Sequence, residues 1–178
     1  MQREALLAVV ACAAAAVCTG AGPQAWPKGL SAAQRAEIVD AHNAWRARVG
    51  VKPLRWSGDL AADAERWAAR LASRGCRLSH DSKTADGENL FWVSGVEGRE
   101  RPLDPLDPGE VVDTWGEESR FYSYQRNACA RGKACGHYVQ MVWDETREVG
   151  CAYSVCRDLG QIWVCRYRPA WSGTRRPY

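Results

Sequence analysis

Eight cysteines in 178 residues constrain this chain more than any other feature. They fall into two groups. Cys12 and Cys18 sit in an N-terminal stretch that holds only Ala, Leu, Val and Cys from residue 5 to 17. Arg3 precedes that stretch, the small residues Thr19, Gly20 and Ala21 follow it, and Pro23 breaks any helix. The run is too short to span a bilayer and fits the apolar region of a secretory signal peptide. Residues 1–22 are therefore expected to be a signal, removed together with two cysteines. Residues 23–178 are expected to form one exported domain with Cys76, Cys129, Cys135, Cys151, Cys156 and Cys165.

An even count in an oxidising compartment favours three disulfides. A cysteine zinc site would need paired C-x2-C units, which the sequence lacks. A thiol nucleophile would leave an odd cysteine, and none is left over. Six cysteines allow about 15 connectivities, and spacing alone does not choose among them.

The composition, 46% hydrophobic and 25% charged, fits a globular core and excludes a disordered chain. A net charge of +3 with no basic run gives no nucleic-acid signature. The chain has no H-E-x-x-H, no G-x-S-x-G and no phosphate-loop spacing.

Ser31 with Gln34 reads as a capping box. Ile38, His42, Trp45 and Val49 then follow at helical spacing, and Gly50 ends the element. A second helix follows Ser57, with Leu60, Ala64, Trp67, Ala68 and Leu71 on one stripe and Gly75 as its stop. Residues 78–94 read as polar and turn-rich. Residues 97–109 form an acidic, proline-rich loop whose Pro-Leu-Asp period of three suits polyproline II. Asp107, Pro108 and Glu110 predict the boxed start of a third helix, on which Val111, Trp115 and Glu118 share a face. Residues 137–143 alternate strictly and predict a strand, as do 149–155 and 161–167. Helices followed by strands indicate an α+β fold.

His80 lies near Cys76 and His137 near Cys135, so disulfides would hold both. Glu88 and Glu118 complete a set of two imidazoles and two carboxylates, suited to a divalent metal bound directly or through ordered water. His42 reads as an ordinary helix-face residue. Tyr122 and Tyr124 either line a cleft or pack. Most of the nine Trp read as core.

The residues also carry a resemblance. His42-Asn43-x-x-Arg46 leads to Gly50-x-x-Pro53-Leu54-x-Trp56, then to Gly75-Cys76-x-Leu78-x-His80. Gly87-Glu88-Asn89-Leu90, Trp115-x-x-Glu118-x-x-x-Tyr122-x-Tyr124 and Gly136-His137-Tyr138-x-Gln140-x-Val142-Trp143 follow in order. From about Leu30 to Tyr178 the chain resembles the CAP superfamily, and within it the plant pathogenesis-related branch. The resemblance implies a three-layer α-β-α sandwich with a small antiparallel sheet. It implies the bridges Cys76–Cys156, Cys129–Cys135 and Cys151–Cys165. It implies a cavity of His80, Glu88, Glu118 and His137, bordered by Tyr122 and Gln140, with zinc or another divalent cation on the two histidines.

Two departures stand out. Val139 occupies a position where the family pattern has Thr. Cys165-Arg166-Tyr167-Arg168-Pro169 stands where the family pattern reads Cys-Asn-Tyr-Asp-Pro.

The function implied is that of a secreted, extracellular monomer that binds sterol or another lipid, with microbial or host membrane components as targets and a role in defence. A metal-dependent hydrolase using Glu88 or Glu118 as base is the alternative. A protein-interaction module docking through the acidic loop is a third reading.

Overall fold

A computed structural model describes residues 29–98, 106–173 and 175–178. The expected signal peptide, with Cys12 and Cys18, lies outside the described residues, as does most of the acidic loop.

The first two helices form where their caps predict. Helix α1 (Ala32–Arg48) starts at the reciprocal Ser31–Gln34 box. Helix α2 (Gly58–Ser73) starts at Ser57, whose hydroxyl accepts from the Leu60 N–H, and buries Leu60, Ala64, Ala68 and Leu71. Gly75 follows with φ of +80°, a left-handed conformation that glycine adopts without strain. Helix α3 (Pro108–Gly116) has Asp107 accepting from the Gly109 and Glu110 N–H groups. The expected box does not close through Glu110. Asp107 lies close to Glu37 of α1, and the interaction of the two carboxyls raises that of Glu37 and lowers that of Asp107.

Four strands form the main sheet: β1 (Arg55–Trp56), β2 (Gly87–Val93), β5 (Glu148–Val155) and β6 (Gln161–Arg168), in the order β1-β5-β6-β2. The β5–β6 and β2–β6 pairs are antiparallel and the short β1–β5 pair is parallel. A separate two-stranded ribbon joins β3 (Tyr122–Ser123) to β4 (Ala128–Cys129). Helix α2 covers one sheet face, over Leu90, Ala152, Ile162 and Val164. The other face carries Val149, Cys151, Trp163, Cys165 and Tyr167 beneath α1, α3 and α4 (Gly136–Met141). The result is the expected α-β-α sandwich.

All three implied disulfides are present: Cys76–Cys156, Cys129–Cys135 and Cys151–Cys165. The last joins directly opposed residues of β5 and β6.

Three further local expectations are corrected. The predicted strand over 137–143 is helix α4 with its C-terminal turn. Residues 138–143 are all buried, so apolar alternation there reports no exposed face and no period. Arg46 also captures the carbonyls of Met141, Trp143 and Thr146 at the end of that turn, at 2.7, 2.9 and 3.0 Å. Residues 78–94, read as turns, contain the edge strand β2. Its polar Glu88 and Asn89 hide the pattern, because their partners come from elsewhere in the fold. Finally, α3 stops at Gly116 and Glu118 lies on a following 3-10 turn (Glu117–Phe121). A Cβ on Gly116 would stand 2.1 Å from the Trp45 indole, so the close crossing of α1 and α3 depends on that glycine.

Candidate functional site

The four candidate residues come from four separate stretches and meet as two pairs. His80 Nδ1 lies 2.6 Å from Glu88 Oε1, which also accepts from the Asp81 N–H at 3.2 Å. His137 Nδ1 lies 2.7 Å from Glu118 Oε1. The imidazole of His80 is well exposed, whereas the Glu88 carboxylate is almost fully covered.

The second pair is built by a helix start. Residue 137 occupies the first turn of α4, and no side chain of Cys135 caps that turn. Glu118 does so from outside: its Oε2 accepts the His137 N–H at 3.1 Å and the Tyr138 N–H at 3.4 Å. A carboxylate is favoured there by the unpaired N–H groups and the helix dipole. Burial pushes the Glu118 carboxyl up, but the His137 contact and the two N–H donors outweigh it and hold it below the ordinary carboxylate range. The Trp115 ring lies 6.1 Å from His137 and is fixed by its indole N–H donating to the Leu90 carbonyl at 3.1 Å.

A buried polar chain ties the second pair to strand β2. His42 Nδ1 donates to the Ile38 carbonyl at 2.7 Å, so its Nε2 accepts from the Tyr167 hydroxyl at 2.8 Å. That hydroxyl accepts from Asn89 Nδ2 at 3.2 Å, and the same amide donates to the His137 carbonyl at 3.1 Å. His42 is thus no ordinary face residue. It is fully buried, which pushes its pKa down to about 4. Sequence reasoning passed over it because helical spacing does not reveal a partner 125 residues away.

The two bordering residues are placed differently from each other. Tyr122 is half-buried, packs 6.0 Å from Tyr138 and donates its hydroxyl to Asn127 at 2.7 Å. Gln140 is buried; its amide donates to Thr146 at 3.3 Å and its oxygen accepts from the Trp171 N–H at 2.9 Å. A Cβ on Gly87 would stand 2.0 Å from the Gln140 oxygen, so Gln140 packs against the start of β2.

Arg166 is the site residue that the metal reasoning missed. It is fully buried, and its guanidinium contacts Asp63 at 3.3 Å, Asp81 at 3.0 Å and Glu88 at 2.9 Å. Its departure from the family pattern was the available signal.

Each imidazole is held at Nδ1 by a carboxylate, and among the described residues nothing hydrogen-bonds to either Nε2. Among the described residues no group of three or more His, Cys, Asp or Glu converges as a ready-made metal cage. Each pair therefore offers one nitrogen donor on an oriented ring.

A disulfide-stapled α-β-α sandwich with His–carboxylate pairs beside its edge strand defines the protein class. The profile of the cysteine-rich secretory protein (CAP) family matches residues 39–167, and the chain belongs to that family. All four candidate residues fall inside the match. Pathogenesis-related protein 1C of Nicotiana tabacum is 42% identical over 133 residues, covering 75% of this chain and 73% of its own. Pathogenesis-related protein PRMS of Zea mays is 43% identical over 135 residues, covering 75% of each chain. Venom allergen-like protein 4 of Schistosoma mansoni superposes with a TM-score of 0.61 at 26% identity, covering 83% of this chain and 94% of its own.

Proposed function

We propose that the protein is an exported, defence-related CAP-domain binding protein whose paired His–Glu site takes a divalent cation such as zinc. The observation that carries this reading is the orientation of the two imidazoles. A carboxylate on Nδ1 fixes the tautomer and leaves the Nε2 lone pair for a ligand, as around metal-bound histidines generally. His80 and His137 would hold the ion, Glu88 and Glu118 would orient the rings, and water would complete the coordination. Zinc, when bound, supplies a Lewis acid. Catalytic zinc sites usually have three protein ligands, so two nitrogen donors favour a binding role over hydrolysis. Three disulfides and the pathogenesis-related names of the relatives support export and a defence role. Among the described residues no helix is long and apolar enough to cross a membrane.

The test is calorimetric titration of zinc into the mature protein. Affinity is expected to collapse in His80→Ala and in His137→Ala, and to weaken below about pH 6.5 because neutral imidazole is the ligand. An affinity unchanged by either substitution refutes the site.

Capture of a sterol or other lipid is the second reading. Leu78, Trp92 and Val96 are exposed at 56%, 42% and 53% and supply apolar surface for it. Saturable binding of labelled sterol, reduced by Trp92→Ala, tests it. The hydrolase reading requires turnover that vanishes with chelator and returns with zinc. Docking through the acidic loop depends mainly on residues outside those described.

A further inference from the structure

A cleft of about 430 Å3 opens beside His80 on the outer side of α2. Arg66, Trp67, Arg70, Arg74, His80 and Lys83 are among the residues that line it. Arg66, Arg70 and Arg74 lie at i, i+4 and i+8, so the helix sets them in one row about 12 Å long. All three are exposed, and so is Lys83.

The acids of the cleft do not cancel this charge. Asp63 meets Arg66 at 2.5 Å, and Asp63 and Asp81 are both also engaged from behind by buried Arg166. Among the described residues no carboxylate pairs with Arg70, Arg74 or Lys83. Asp63 accounts for Arg66, and the helix dipole favours a cation at Arg70 and Arg74 near the C-terminus of α2, but one cation there would serve and like charges at i, i+4 repel. Its floor is aromatic. The Trp67 indole N–H donates to the Ser79 carbonyl at 3.1 Å, and the Arg70 guanidinium lies 5.7 Å from the ring centroid. Ser79 and Ser82 add hydroxyls to the lining.

We infer that this cleft binds an extended acidic polysaccharide. A row of cations spaced one turn apart matches an anion repeated along a chain better than a single phosphate. The aromatic floor suits the face of a sugar ring, and the serines suit its hydroxyls. Nucleic acid also repeats its charge, but the disulfides place the domain in an oxidising compartment, where cell-surface and matrix polysaccharides are the accessible polyanions. The inference rests on the export reading above and is independent of metal at His80.

The test uses the intact mature protein in chelator, with polygalacturonate oligomers as probe and their fully methyl-esterified form as the uncharged counterpart. Binding of the acidic oligomer and not the ester is expected, weakening as salt rises. Arg70→Glu/Arg74→Glu should lower affinity roughly tenfold or more. Arg131→Glu/Arg157→Glu, the same charge change elsewhere, should alter it by less than about twofold. If the first pair fails to fold, Arg70→Gln/Arg74→Gln replaces it. Equal binding of the ester, equal losses in the two double variants, or duplex DNA binding as tightly as the oligomer would each overturn the inference.

Discussion

Arg166 and Glu88 are opposed residues on neighbouring strands, and the fully buried guanidinium lies 2.9 Å from Glu88 Oε2. The contact is charge against charge, since neither atom makes an aligned hydrogen bond. Glu88 thereby faces Arg166 with one oxygen and His80 with the other. Removing the cation strands a nearly buried carboxylate. Arg166→Met is therefore expected to lower stability by about 3 kcal/mol, with Asp63 and Asp81 adding little because both retain solvent. Urea unfolding measures this. A loss under about 1 kcal/mol would mean that the pair is not coupled to the fold.

His42 makes stability depend on pH. Its pKa is lowered by burial from 6.5 to about 4, so the folded state keeps it neutral where the unfolded chain binds a proton. The contribution is complete above about pH 6.5 and is lost as pH falls toward 4, a total of about 3 kcal/mol. Urea midpoints measured between these limits should fall steeply in the wild type. His42→Gln, starting from a lower midpoint, should show a flatter profile. Parallel profiles would remove His42 as the cause.

How much of this was legible follows from where each residue's partners lie. The starts of α1 and α2 were readable because Ser31–Gln34 and Ser57–Leu60 are local bonds. Strands β5 and β6 were readable as apolar runs separated by a turn. Helix α4 was not, since the burial of residues 138–143 erased its period and its C-terminal carbonyls are held by Arg46, about 95 residues away. Strand β2 was missed for a similar reason: Glu88 and Asn89 look like loop residues until Arg166, His80 and Tyr167 are placed around them. The four candidate residues were legible as two imidazoles beside cysteines and two carboxylates, and the motif resemblance named the same four; the three bridges came from the resemblance alone. The pairing of each histidine with its own carboxylate required the fold.

Gly150 marks a close approach of sheet and helix. An added Cβ would meet the Ala61 nitrogen at 2.2 Å and the Ser57 carbonyl oxygen at 2.6 Å, both main-chain atoms that cannot rotate away. Gly150→Ala must push α2 off β5, and a loss of about 3 kcal/mol is expected. Gly58→Ala has open space at the same helix and should change stability by less than about 1 kcal/mol. Thermal unfolding of the two variants side by side separates this packing effect from the general effect of replacing glycine.

Glu118 has two tasks on one carboxylate, and one substitution can separate them. Its Oε2 caps the first turn of α4, and its Oε1 orients His137. Glu118→Gln keeps the shape and one acceptor oxygen but brings an amide N–H against either the helix N–H groups or the imidazole. The amide oxygen should turn to the helix, because two donors lie there, leaving His137 without its partner. Stability should then fall by only about 1 kcal/mol. Zinc affinity should fall roughly tenfold or more, as expected when the carboxylate behind a metal-bound imidazole is lost. Glu118→Ala loses both tasks, so its stability should fall further, by about 2 kcal/mol. Unfolding and zinc titration on the same two variants give the comparison. If Glu118→Gln binds zinc as tightly as the wild type, Glu118 serves as a helix cap alone, and the metal reading of the pair is withdrawn.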